Sequence, residues 1–133
     1  MKGRNTMKRL PDSELEIMLI IWEANEGVTR TYIQEHLEQS KVLAPTTILS
    51  FLSRLTTKGF LRIEKEGKTN LYTALVSQED YAHKESKKML ERFFGNSVKD
   101  FVVQLNDSKA VDKKEIQELR EFLDSLSPED EGR

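Results

Sequence analysis

With 133 residues, 37% of them apolar and 33% charged, the chain suits a small, soluble, two-lobed protein with a modest core. It contains no cysteine, which excludes a disulfide framework and thiolate metal ligands, and no apolar run approaches the roughly 20 residues of a membrane-spanning helix. The net charge of −2 is unevenly spread: residues 1–76 hold 11 Lys/Arg against 9 Asp/Glu, residues 77–133 hold 10 against 14, and residues 44–75 hold 5 against 2. Basic character is therefore local, as a binding face on an otherwise acidic protein requires.

Residues 1–9 form a polar arm with Lys2, Arg4, Lys8 and Arg9. Pro11, Asp12 and Ser13 open a first helix, with Asp12 or Ser13 as its cap and Ser13 and Glu16 at capping-box spacing. Its expected buried stripe is Leu15, Met18, Leu19 and Trp22, widened by Ile17, Ile20 and Ile21. Asp12, Glu14, Glu16 and Glu23 break up any signal-peptide core there, so a cytoplasmic protein is expected. Asn25, Glu26 and Gly27 make a turn, Val28 fits one short strand, and Thr29 caps a second helix over residues 30–39 with Ile33 and Leu37 inward.

Pro45 begins a third helix, which runs to Thr57 before Lys58 and a terminating Gly59. Ile48, Phe51, Leu52 and Leu55 recur at helical spacing and face a core. The opposite side carries Thr46, Ser50, Ser53 and Thr57, flanked by Thr47, Leu49 and Arg54, where a solvated face usually carries Glu and Lys. Small hydroxyls let a helix approach another surface closely and bond to phosphates or base edges. Leu61, Ile63, Leu71, and Thr73 or Leu75 then mark two strands around residues 64–70, a hairpin turning at Gly67 and decorated by Arg62, Lys65 and Lys68. Two short helices in tight succession followed by a basic hairpin make a helix-turn-helix with a wing.

From Ser77 the pattern is helical. Ser77 caps a helix to Phe94 with Tyr81, Met89, Leu90, Phe93 and Phe94 as its apolar positions. Val98, Phe101, Val102 and Leu105 follow, and a last helix, capped by Asp112 with Glu115, carries Ile116, Leu119, Phe122, Leu123 and Leu126 and ends near Pro128. Three amphipathic helices cannot bury all these stripes in one small lobe, so a second copy in a two-fold dimer is expected, with Phe93, Phe94, Phe101, Val102, Leu105, Ile116, Leu119, Phe122, Leu123 and Leu126 at the interface.

Residues 14–18 with Ile21 and Trp22, then Pro45, Thr47 and Ile48 with Ser53, Arg54 and Leu55, Lys58 to Phe60, and finally residues 115–120, together resemble the BlaI/MecI/CopY type of bacterial transcriptional repressor, which includes the penicillinase repressors. The resemblance covers Leu10 to about Leu126. It implies a mainly α protein with a winged-helix DNA-binding domain of three helices plus a β-hairpin wing (10–76) and a helical dimerisation domain (77–127); composition adds a flexible arm (1–9) before them and an acidic tail (128–133) after. It also implies repression from a palindromic double-stranded DNA operator by a homodimer, relieved by a signal that the sequence leaves unidentified, with β-lactam or cell-envelope stress as one alternative.

In that picture Thr46, Thr47, Leu49 and Ser50 approach base edges, while Ser53, Arg54, Lys58, Arg62, Lys65 and Lys68 hold phosphates. Three departures stand out. Family members often carry a basic or amide side chain where Thr46 and Leu49 stand; Leu49 can touch a thymine methyl but cannot donate to guanine. The Asn-Phe pair cut by a sensor protease in staphylococcal repressors corresponds by spacing to Gln104 and Leu105, so the resemblance does not support cleavage by such a protease and leaves a sensor protease of different specificity as an open alternative. The copper-responsive members' cysteine cluster is absent.

An enzyme is not expected: His36 and His83 are the only histidines, both suited to solvated helix surfaces, and there is no nucleophile motif, phosphate loop, metal-ligand cluster or cofactor motif. The rival reading is a winged helix used for protein contacts without specific DNA binding.

Overall fold

The computed structural model describes residues 7–38 and 41–126; the basic arm's Lys2 and Arg4, Gln39, and the acidic tail with Pro128 lie outside the described residues. The described elements are α1 (Asp12–Ala24), α2 (Arg30–His36), α3 (Pro45–Thr57), β1 (Leu61–Glu66), β2 (Thr69–Ala74), α4 (Gln78–Phe94), α5 (Val98–Asp107) and α6 (Lys113–Ser125). One compact unit ends at Glu85 and the second begins at Ser86. The fold is mainly α with one two-stranded antiparallel sheet, a winged helix in its first part.

The first unit is built on α1, but not in the expected phase. Ile17, Met18 and Ile21 are fully buried together with Glu14, whereas Leu19 is 40% exposed and Leu15 and Trp22 are half-buried. The buried face is centred on residues 14, 17, 18 and 21, and Glu14 on that face is paired with Lys58. The expected capping box also fails: Pro11 occupies the N-cap with no side-chain cap, and Glu16 pairs with Lys41 at 2.8 Å. Glu16 holds the Lys41 ammonium above its usual pKa, chiefly by that hydrogen bond. Asn25 ends α1 in the left-handed conformation at φ 59°.

Thr29 caps α2 by accepting from Tyr32 N at 3.0 Å. The helix stops at His36, shorter than expected, because Leu37 leaves it in extended conformation. Ile33 is buried and Leu37 half-buried. Val28 bridges Tyr72 through Val28 N to Tyr72 O (3.1 Å) and Tyr72 N to Val28 O (2.7 Å), adding a short third strand edge to the hairpin. Gly27 allows this approach: a Cβ there would stand 2.7 Å from Thr73 Oγ1.

The hairpin is tighter than residues 64–70 implied. Its strands run to Glu66 and from Thr69, leaving Gly67 and Lys68 as a two-residue turn, with Gly67 at φ 67°. That sign is what such a turn asks of its first central residue. The buried side chain of the returning strand is Tyr72, not Leu71 or Leu75; Leu75 is exposed.

Tyr81, near the start of α4, closes this core. Its ring lies 5.8 Å from Trp22 and 5.7 Å edge-on from Phe60, and its Oη accepts from Leu10 N at 2.8 Å. Burial pushes the phenol pKa up, only partly offset by that backbone hydrogen bond. Trp22 Nε1 donates to Val76 O at 2.7 Å, and Ser77 caps α4 by accepting from Asp80 N.

In the second unit, Gly95 (φ 54°) and Asn96 (φ 68°) reverse the chain and Ser97 caps α5. Asp112 and Glu115 form the expected reciprocal capping box on α6. Phe94 and Phe101 meet at 5.3 Å, yet α5 and α6 contain no fully buried residue.

Candidate nucleic-acid interface

The site begins with α3, anchored on one side by Ile48, Leu52 and Leu55, all inaccessible to solvent. Pro45 sits in its first turn, and its end is a Schellman motif: Gly59 N donates to Thr56 O (3.1 Å) and Phe60 N to Leu55 O (2.9 Å), with Gly59 at φ 88° and Phe60 buried. The helix contains no carboxylate. Its exposed side carries Thr46, Leu49, Ser50, Ser53, Arg54 and Thr57, with Thr47 half-buried beside them and Leu49 43% exposed. A positive N-terminal dipole, small hydroxyls and no negative side chain make this face receptive to a polyanion.

Arg54 is the charged member of that face. Its guanidinium lies 5.6 Å from the centre of the Phe51 ring, one turn back on the same helix. Phe51, expected in the core, is only half-buried and serves as this platform.

Lys58 stands apart from the expected phosphate contacts. Its Nζ is 2.5 Å from Glu14 Oε1, with the Glu14 side chain 3% and the Lys58 side chain 24% exposed. The pair ties the end of α3 to α1. Glu14 is the residue sequence reasoning missed; the available signal was an acid in phase with Ile17, Met18 and Ile21.

On the hairpin, Arg62 Nη2 is 3.2 Å from Glu64 Oε2, while Lys65 and Lys68 are exposed and make no ion pair among the described residues. His36 is exposed, stacked on Tyr32 at 3.9 Å, and His83 is exposed on α4. Gln104 and Leu105 lie inside α5, with Ser108 N donating to Gln104 O at 3.0 Å and Ala110 N to Leu105 O at 2.9 Å.

A helix-turn-helix whose second helix presents hydroxyls and an arginine, backed by a hairpin with two lysines that make no ion pair among the described residues, has the form of a winged-helix DNA-binding protein. The model of the penicillinase repressor family matches residues 10–125, and the chain belongs to that family. It is 33% identical over 121 residues to the penicillinase repressor of Bacillus licheniformis, covering 89% of this chain and 94% of that protein. It is 29% identical over 119 residues to the methicillin resistance regulatory protein MecI of Staphylococcus aureus (strain N315), covering 90% and 96% respectively. Among solved structures it is similar to the DNA-binding domain of the repressor BlaI, with a TM-score of 0.50 and 32% identity over 56% of this chain and 90% of that one. The family is one of transcriptional repressors, and the chain is not an enzyme. No described helix is long and apolar enough to cross a membrane.

Proposed function

We propose that this repressor acts in the cytoplasm as a homodimer on a palindromic operator, each subunit laying α3 into a major groove. Thr46, Thr47, Leu49 and Ser50 approach base edges near the helix N-terminus, while Ser53 and Arg54 reach phosphate and Lys65 and Lys68 extend the contact through the wing. The observation that carries this reading is the exposed face of α3, free of carboxylates and pinned at its far end by the buried Glu14–Lys58 pair.

Residues 77–127 supply the dimer in this reading. Support comes from the apolar surface left open in a single chain: Phe93 is 64%, Phe122 57% and Leu123 53% exposed. Two half-sites about one helical turn, ~34 Å, or a multiple apart are then bound as one unit. The relieving signal is read as β-lactam or cell-envelope stress, by kinship with relatives named for penicillinase and methicillin resistance. A sensor protease acting at Gln104 and Leu105 would require α5 to open first, because a helical peptide bond is cut from an opened state.

Fluorescence anisotropy against the promoter DNA upstream of the protein's own gene, beside a scrambled duplex, at two salt concentrations, tests the reading. Tight, salt-sensitive preference for the promoter is expected, because phosphate contacts release counterions. Equal, weak binding to both duplexes would reject an operator at that promoter.

A further inference from the structure

The outward side of α3 is poor in the groups that usually tell one base pair from another. Arg or Lys reads guanine, Asn or Gln reads adenine and an acid reads cytosine; none of these stands between Pro45 and Ser53. Thr46, Ser50 and Ser53 are exposed there, but a hydroxyl rotates to donate or to accept and so discriminates little between base pairs. The first cation is Arg54, five residues beyond Leu49 and about 140° round the helix from it, on the other edge of the exposed face. Its guanidinium is held 5.6 Å from the centre of the Phe51 ring. Leu49, 43% exposed, is the only exposed large apolar residue of the helix. A lone exposed leucine is ordinary on a surface that meets water. On a surface that meets base edges it is not, because donors and acceptors covered by it are left unpaired. The major groove offers one apolar group, the C5-methyl of thymine.

We infer that Leu49 is the specificity-determining residue of α3 and that it reads a thymine: each half-site carries an A·T pair whose C5-methyl packs against the Leu49 side chain, so that base choice is made by apolar contact in place of a bidentate hydrogen bond. That assignment rests on the operator-binding reading above and narrows it from base edges in general to one chemical group on one base. The tasks of the helix are then divided. The hydroxyls and Arg54 hold α3 in register, and Leu49 selects. A guanine or cytosine at that position presents no methyl, and an adenine turns its N6 amino group to the leucine, where it finds no acceptor.

Deoxyuridine pairs with adenine as thymidine does and lacks only the methyl. The test therefore replaces the thymines of the promoter duplex by deoxyuridine, one position at a time and then in symmetry-related pairs, and measures binding of the full-length protein by fluorescence anisotropy. One position in each half-site should weaken wild-type binding about fourfold, the worth of one buried methyl, and about fifteenfold when both half-sites are changed. Leu49→Ala puts a better helix former at an exposed position and should leave the fold intact, as circular dichroism will report. It should bind the unmodified duplex more weakly by at least the same factor, keep the wild-type slope of log affinity against log salt because no phosphate contact is lost, and be indifferent to deoxyuridine at that position. A promoter preference that survives every deoxyuridine replacement, a deoxyuridine penalty of equal size in wild type and Leu49→Ala, or a Leu49→Ala loss that appears in the salt slope overturns the assignment and leaves the operator reading standing. A wild-type protein that does not prefer the promoter to a scrambled duplex ends both.

Discussion

Glu14 ties α1 to the end of α3 through one ion pair. Its carboxylate is 2% exposed as a residue and is held by Lys58 Nζ. Removing one partner strands the other. Lys58→Met should therefore cost about 2–3 kcal/mol, below the usual range for fully buried pairs because Lys58 keeps some access to water. Lys58→Met combined with Glu14→Leu should recover most of that loss; the midpoints of urea unfolding, at unchanged slope, report both. Tyr81 makes a separate prediction. Its pKa in the fold lies above the ordinary phenol value of 10.0, because burial penalises the phenolate. The unfolded chain thus loses this proton first as pH rises, so the stabilising contribution is complete below pH 10 and drains away through the higher folded value. Thermal melting from pH 8 upward should show that alkaline decline, and Tyr81→Phe should flatten it at the expense of the Leu10 N–H contact.

At the scale of elements, α3 and α5 end in related ways with different residues. Gly59 takes φ 88° at the end of α3, and a Cβ there would meet nothing within 4 Å, so the cost of a side chain is purely conformational. Gly59→Ala should destabilise by about 1 kcal/mol. After α5 the left-handed position is filled by Lys109 at φ 63°, with Ala110 N bonded to Leu105 O. There the reverse substitution, Lys109→Gly, should stabilise by about 1 kcal/mol, seen as a higher unfolding temperature. Capping was legible where the residues serve only their own helix: Thr29, Ser77 and the Asp112–Glu115 box all bond as their spacing implies. It failed at α1, where the helix starts at Asp12 after a Pro11 N-cap, so Ser13 lies inside the first turn and cannot cap it. The period of α1 was readable but its phase was not, since seven apolar residues surround much of the helix and packing against α2, α3 and β2 decides which side turns inward.

For the whole molecule, the dimer proposed above assigns assembly to the apolar faces of α4 to α6. Phe122→Asp or Leu119→Asp would set a charge into the proposed apolar contact. Light scattering at micromolar concentration should then report a monomer, with much of the operator affinity lost because two half-sites no longer bind as one unit. A mutant still dimeric would remove α6 from the interface.

The sequence by itself determined the order of helices and hairpin, the polar side of α3 and the family, because periodicity, caps and turn glycines act within a few residues of themselves. Only the tertiary structure decided the pairing of Glu14 with Lys58 and the inward turn of Tyr72 and Tyr81. Ion pairing and burial depend on which side chains the fold brings together: Glu14 and Lys58 are 44 residues apart in the chain, and no local pattern encodes that meeting.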